Sequence, residues 1–305
     1  MSAAPFARIA VIGLGLLGGS VTRAVRAHVP GAVTGGFDAD AAVRARARDI
    51  DLADQIPETV ADAVAGADLV VLCVPVGAME AAGRAIAPHL APGVIVTDVG
   101  SSKASVARVL AEVLPGVCVI PSHPVAGTEQ SGPDAGFAAL FKGRWCIVTP
   151  PANADEAQTA RVAAFWEALG ARVEMMDAEH HDRVLAVTSH LPHLIAYTIV
   201  GTASDLEEVT QSEVIKYSAG GFRDFTRIAA SDPTMWRDVF LSNREAVLEM
   251  LQRFSEDLTE LQKAIRKGDG DTLFDTFTRT RAIRRSIIEM GQDDARPDFG
   301  RSHEA

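Results

Sequence analysis

Three stretches of this chain carry residue types that could do chemistry together. The run SHPVAGTEQSG (residues 122–132) is a polar loop with one histidine, His123. An unperturbed imidazole pKa of about 6.5 suits proton transfer at neutral pH. Pro124 removes a backbone donor and fixes the chain beside the ring, and Gly127 allows a sharp turn behind it. The ordinary alternative is a buried ring satisfied by a backbone carbonyl. Farther on, GGFRDFTRIAASDPTMWRDVF (residues 220–240) opens on a glycine pair and sets Arg223, Asp224 and Arg227 in one turn and helix. Guanidinium forks grip carboxylates bidentately, which suits an acidic ligand; an internal Arg–Asp pair is the structural alternative. Trp236 is either core or an aromatic wall near that ligand. His190 and His193, three apart in SHLPH, have a spacing that can bind metal. However, HExxH is absent and no Cys or carboxylate cluster completes a ligand set, so no metal is expected. A polar contact from His190 to a substrate and a structural role stand level.

The third stretch is Gly13, Gly15 and Gly18, a G-x-G-x-x-G directly after a predicted strand and at the opening of a predicted helix. Glycines there permit the tight turn and let backbone N–H groups and the helix N-terminus approach a pyrophosphate. Asp38, at the end of the second predicted strand, can accept hydrogen bonds from adenine ribose hydroxyls and would repel a 2′-phosphate, so NAD is favoured over NADP. The cofactor set expected from the loops is Gly13, Gly15, Leu16, Leu17, Gly18, Asp38, Val74, Pro75 and Gly100. Val74-Pro75 and the segment Asp98 to Lys103 both fall at strand C-termini, where open α/β sheets place ligands. Ser101 in the latter could donate to a substrate hydroxyl or cap the helix starting near Lys103.

The elements that must position these residues change character along the chain. Strands are predicted at Arg8 to Ile12, Val33 to Phe37, Leu69 to Val74, Val94 to Asp98, Val117 to Ile120 and Trp145 to Thr149. Ala-rich helical segments lie between them, which makes βαβ units and a mainly parallel, Rossmann-type sheet. One more helix and a strand, Arg172 to Met176, follow. From Asp177 only helical periodicity remains, with a long amphipathic segment from Thr234 to Lys267 and another from Thr272 to Met290. Pro192 should kink its helical stretch or mark a helix start. The expected division is a nucleotide-binding domain over 1–176, an all-helical substrate and dimerisation domain over 177–291, and a polar tail over 292–305.

Composition narrows the classes. At 305 residues and 48% apolar, the chain can bury a sizeable core. A formal charge of −11 argues against non-specific nucleic-acid binding, whose footprint is a basic patch. Cys73, Cys118 and Cys146 sit singly in apolar runs with no CxxC pair, which reads as reduced thiols in a cytoplasmic protein. The N-terminus lacks a signal-peptide pattern and no continuous apolar run reaches about 18 residues, so neither export nor a membrane span is expected.

The segments GLGLLGGS, TDVGSSK, SHPVAGTEQSG, SHLPH and GGFRDFTRIAASDPTMWRDVF, in this order, resemble the prephenate/arogenate dehydrogenase family of tyrosine biosynthesis over about residues 8 to 290. The resemblance implies NAD-dependent oxidative decarboxylation of prephenate to 4-hydroxyphenylpyruvate, of arogenate to tyrosine, or both. By the same carry-over, His123 is the catalytic proton acceptor and Ser101 the serine sharing the substrate hydroxyl. His190 becomes a substrate contact and Arg227 the holder of a substrate carboxylate. Thr128, Glu129, Gly220, Asp224 and Trp236 fall at pocket positions, and the helical domain forms a homodimer. Gln130 and Arg223 stand where many relatives have Lys, which shifts the balance slightly from doubly anionic prephenate toward arogenate. Two other classes fit the coarser pattern: a β-hydroxyacid-type dehydrogenase, for which Lys216 is the one candidate lysine, and a non-enzymatic NAD sensor.

Overall fold

Five short apolar runs pair as one parallel sheet: β1 (Arg8–Ile12), β2 (Val33–Phe37), β3 (Leu69–Leu72), β4 (Ile95–Asp98) and β5 (Cys118–Val119), in the order β2-β1-β3-β4-β5. The computed structural model describes residues 4–128, 130–205 and 219–289. Helices α1 (Leu16–His28), α2 (Ala41–Asp49), α3 (Val60–Val64), α4 (Met79–Ile86), α5 (Ala104–Val113) and α6 (Glu156–Ala168) connect or flank the strands. Successive strand side chains leave opposite faces. Ile9, Val11, Leu69 and Val71 therefore join one core with Val21, Val25, Phe165 and Trp166. Ala10, Ile12, Val70 and Leu72 join the other with Met79, Ile86 and Leu110. With both faces covered, the strands are apolar throughout rather than alternating.

The chain goes from β1 to β2 on one side and then crosses to β3 on the other. This reversal leaves a crevice beyond the C-terminal ends of β1 and β3, the place where such sheets take ligands.

The structure departs from the sequence expectation after the fifth strand. Only two residues of β5 pair, and the chain then begins a second, three-stranded sheet from β6 (Ser122–Pro124), β7 (Trp145–Val148) and β8 (Arg172–Met175). The β6–β7 pairing is antiparallel and places His123 opposite Ile147. His123 thus lies on a buried strand rather than in an open polar loop. The cause is tertiary: the Ser122 N–H and hydroxyl both bond to Asp98 at the end of β4, drawing the segment inward.

The helical part begins with α7 (Ala178–Leu185), a π-helical turn over Ala186–His190, and α8 (Leu191–Asp205). Pro192 falls in the first turn of α8, directly after the wide turn, so it marks a start rather than a break. The whole stretch Ala178–Asp205 is 28 residues with a window of mean hydropathy 1.4, long and apolar enough to cross a membrane by length and composition. Its residues His181, Asp182 and His190 are instead buried in polar contact with the rest of the fold. Then come α9 (Gly220–Thr226), a 3-10 turn over Arg227–Ala230, α10 (Pro233–Ser242), α11 (Arg244–Lys267) and α12 (Gly270–Glu289).

The single helix expected from Thr234 to Lys267 is interrupted at Asn243, which caps α10 and turns its side chain into the protein. The chain packs as two units, Met1–Leu248 and Glu249–Ala305. In the second, Leu258, Ile265, Phe274, Phe277 and Ile283 are all exposed. The expected polar tail lies outside the described residues, as do Glu129 and Lys216.

Candidate active site

The glycine turn is built to receive a ligand rather than merely to reverse the chain. Gly13 has φ +96°, and a Cβ there would come within 2.5 Å of the Cys73 carbonyl oxygen. A Cβ on Gly18 would collide with the Gly13 carbonyl, so the helix packs directly onto the loop. Gly15 is the opposite case: a Cβ would meet nothing within 4 Å. It is also the N-cap of α1, with no side-chain cap and no acidic residue in the first turn. Helices α2, α3, α6, α7 and α10 all spend an Asp or Thr side chain on that task. The first N–H groups of α1 are therefore left for an anion, with the helix dipole favouring negative charge. Asp38 borders this loop; its carboxylate accepts the N–H of Leu14 at 2.8 Å and of Asp40 at 3.0 Å. Val74 and Pro75 follow β3 and lead into the 3-10 turn Val76–Ala78.

His123 belongs to a buried relay. Its Nδ1 is 2.8 Å from His181 Nε2, and His181 Nδ1 is 2.9 Å from Asp182 Oδ1. A carboxylate only accepts, so His181 carries its proton on Nδ1 and offers a lone pair at Nε2. His123 must then donate from Nδ1, which leaves its Nε2 as a free base. One acid thus sets the tautomers of two rings. Asp182 is itself held by the N–H groups of Lys103 at 2.7 Å and Ala104 at 3.0 Å, and so caps α5. That disposes of the capping alternative for Ser101, which makes no capping bond to this helix among the described residues.

The relay continues into a wall of rings. Asn243 Nδ2 donates to the Asp182 carbonyl at 2.8 Å and approaches His190 Nδ1 at 3.1 Å. An amide donor forces His190 Nδ1 to accept, so its proton sits on Nε2, which is buried beside the Ser101 backbone but makes no full hydrogen bond among the described residues. The Trp236 indole N–H is likewise buried and without a partner among the described residues. The His190 and Trp236 rings lie edge to face at 6.1 Å, and His193 stacks on Trp236 at 3.6 Å. Buried donors without acceptors are costly, and two in one wall suit a ligand that brings oxygen atoms. Trp236 is core by its burial.

Burial, followed by the neighbouring His181 and Lys103, holds His123 well below the ordinary histidine pKa. Burial also lowers His181, against the pull of its hydrogen bond to Asp182, and brings His190 down to about 4. All three rings therefore stay neutral at physiological pH. Unfolded histidines titrate at about 6.5, so the denatured chain takes up protons that the native one refuses. Their contribution to folding is present above about pH 6.5 and is lost as pH falls, for His190 between about 6.5 and about 4. Denaturant midpoints should decline steadily from about pH 7 to pH 5; a flat or rising series would contradict neutral burial.

Of the residues expected from sequence, His123, His190 and Trp236 are joined by this chain of contacts. Ser101 stands one residue from Gly100, whose N–H bonds Asp98 at 2.7 Å, the same carboxylate that takes the Ser122 N–H. Arg227 is exposed on the 3-10 turn, near enough that its charge lowers His193. Gly220 and Asp224 are exposed on α9, and Thr128 is exposed with its hydroxyl accepting the Gln130 N–H at 3.2 Å. Sequence reasoning missed His181, Asp182 and Asn243. A His-Asp pair opening an amphipathic helix, in AEHHDRVL, was the available signal for the first two; Asn243 carried none.

Comparison with known proteins matches two family models to successive parts of the chain. Residues 21–175 match the family model of the prephenate dehydrogenase nucleotide-binding domain, and residues 177–279 that of the prephenate dehydrogenase dimerization domain. The chain is 46% identical to a cyclohexadienyl dehydrogenase of Zymomonas mobilis, over 92% of this chain and 96% of that protein. It is 31% identical to a prephenate dehydrogenase of Bacillus subtilis, over 95% and 78%. A crystal structure of prephenate dehydrogenase from A. aeolicus in complex with hydroxyphenyl propionate and NAD+ superposes with a TM-score of 0.86 at 32% identity, covering 92% of this chain and 98% of that one.

Proposed function

The chain belongs to the prephenate dehydrogenase family, and from that membership we propose how its own residues divide the work of an NAD-dependent oxidative decarboxylation. Family members act on prephenate or arogenate as oxidoreductases, which removes the β-hydroxyacid and sensor alternatives. Bound at the glycine turn, NAD supplies the hydride acceptor. The uncapped start of α1 holds its pyrophosphate, Gly13, Gly15, Leu16, Leu17 and Gly18 form the cradle, and Val74, Pro75 and Gly100 line the loops beside it. Asp38 accepts the ribose hydroxyls and disfavours a 2′-phosphate.

His123 takes the proton of the ring hydroxyl on Nε2, and Ser101 shares that hydroxyl. The observation that carries this assignment is the His123–His181–Asp182 relay, which leaves His123 Nε2 a neutral, acceptor-ready nitrogen and backs it with a carboxylate. As His123 becomes cationic, Asp182 stabilises the charge through His181. Loss of the ring carboxylate as CO₂ restores aromaticity, so the substrate supplies its own driving force. The protein contributes one base, orientation and charge anchoring.

The buried Nε2–H of His190 and the Trp236 wall hold the substrate's oxygens, and Arg227 holds a carboxylate at the exposed end. Thr128, Gly220 and Asp224 complete the pocket mouth. The nucleotide-binding half is residues 1–176 and the substrate half 177–291. The exposed apolar residues of α11 and α12 support a homodimer, and the enzyme works in the cytoplasm on a small acid.

An NADH-absorbance assay with prephenate and arogenate, each with NAD and NADP, tests the reading directly. Turnover of neither acid would overturn it. In the same assay Arg227→Ala should raise KM about 10–100-fold with a smaller change in kcat, the worth of a charge-assisted hydrogen bond of about 1.5–3 kcal/mol. An unchanged KM would remove Arg227 from substrate binding.

A further inference from the structure

Beneath the catalytic edge lies an ion pair with no exposure at all. Lys103 Nζ donates to Asp98 Oδ2 and, at 2.8 Å, to the Ser122 carbonyl; both side chains are 0% exposed. Lys103 is the N-cap residue of α5 and Asp98 ends β4. Two buried charges cost more in desolvation than their attraction usually returns, so apolar residues of similar volume would serve stability as well. A pair kept at that cost has a second use where its geometry shows one.

The geometry shows it at two backbone segments. Asp98 Oδ2 takes the Gly100 N–H at 2.7 Å, immediately before Ser101. Its Oδ1 takes the Ser122 N–H at 3.3 Å, immediately before His123. Lys103 closes the circuit at the Ser122 carbonyl. The Ser122 side chain is fixed as well, donating to the Asp98 carbonyl at 2.7 Å and accepting the Trp166 indole N–H at 2.9 Å. Every polar atom of the residue before His123 is committed. The same lysine's backbone N–H bonds Asp182, so one residue touches the supports of both His123 and its relay partner.

We propose that Asp98 and Lys103 are positioning residues of the reaction, a buried ionic staple that holds the Ser101 loop and the His123 strand at one fixed separation. The proposal rests on His123 and Ser101 sharing the substrate hydroxyl, as assigned above. A shared hydroxyl needs both groups within hydrogen-bond reach of one oxygen, and a misplacement of about 1 Å can cost about 10²-fold in rate. Neither Asp98 nor Lys103 need touch the substrate for this.

The test uses two variants of the full chain with saturating prephenate or arogenate. Asp98→Asn/Lys103→Met removes both buried charges, which avoids leaving one unpaired. Asp98→Asn/Lys103→Gln also leaves no lone buried charge and keeps a donor toward the Ser122 carbonyl. The Asn/Met variant should melt within a few degrees of the parent and bind NAD within about 3-fold, while kcat falls about 10²-fold. The Asn/Gln variant should recover about 10-fold of that loss. A folded Asn/Met variant with parental kcat overturns the proposal. So does a parallel loss of melting temperature, NAD affinity and kcat, or failure of both variants to fold, since each marks a purely structural pair. His123→Asn run alongside separates the two levels. If it keeps the parental rate, the catalytic assignment itself fails; if it is slow while the staple variants are not, only the staple fails.

Discussion

His123→Asn lowers kcat about 10²–10⁴-fold with little change in KM, the usual worth of a positioned general base. Asparagine still fills part of the ring's space and can hydrogen-bond His181, so the fold and the cofactor turn should persist. What disappears is the lone pair at Nε2. Steady-state kinetics with NAD and either cyclohexadiene acid measure this, and a variant turning over at the parental rate would show that another group takes the proton. The parent enzyme's pH profile has a defined sign. His123 is active when neutral, and burial, His181 and Lys103 hold its pKa well below the ordinary value. The kcat/KM plateau should therefore extend below pH ~6.5, the ordinary imidazole value, before falling. An acid limb above that value would mean the base is exposed or faces a carboxylate.

Gly18→Ala weakens NAD binding by about 5–100-fold and lowers the melting temperature. The new Cβ would be forced into the Gly13 carbonyl. That atom is backbone, so relief requires α1 to move off the turn. Overpacking of this kind costs about 1–3 kcal/mol, and each 1.4 kcal/mol is about tenfold in affinity. Gly15→Ala is the informative contrast. Its Cβ meets no atom of the described residues within 4 Å, so the fold should be unaffected, while a methyl group enters the space reserved for the pyrophosphate. Calorimetric titration with NAD, paired with thermal melts, separates the two. Parental affinity in Gly18→Ala would mean that the turn is not the phosphate cradle.

The two sites differ in how they were legible. G-x-G-x-x-G between strand and helix states its purpose within six residues, because the turn, the missing side chains and the helix start are all local. Asp38 adds to it across one βα unit. The strands were legible for a similar reason: runs such as LVVL, apolar on both faces, belong to a sheet covered on both sides. For Ser101 the sequence left helix capping open beside contact with a substrate hydroxyl, and capping falls away because Asp182 takes the α5 donors from a different helix. The loop reading of SHPVAGTEQSG failed similarly at its first three residues, Ser122–Pro124, which form β6. Its residues look polar and turn-like, yet Ser122 and His123 are buried because Asp98, Lys103 and Trp166 satisfy them from elsewhere.

From its sequence alone the chain determined a dinucleotide turn, a parallel sheet followed by helices, and the candidates His123, His190 and Arg227. Each is written in residue types and short spacings, over which backbone geometry and side-chain periodicity act. Only the tertiary structure decided which proton His123 carries, what caps α5, and that Asn243 breaks a helix to orient His190. Those facts join residues 58 positions apart at His123–His181, 79 at Lys103–Asp182 and 53 at Asn243–His190. Such pairings follow from how two cores stack and where desolvated polar groups find partners, and a property of the packed whole leaves no local pattern to read.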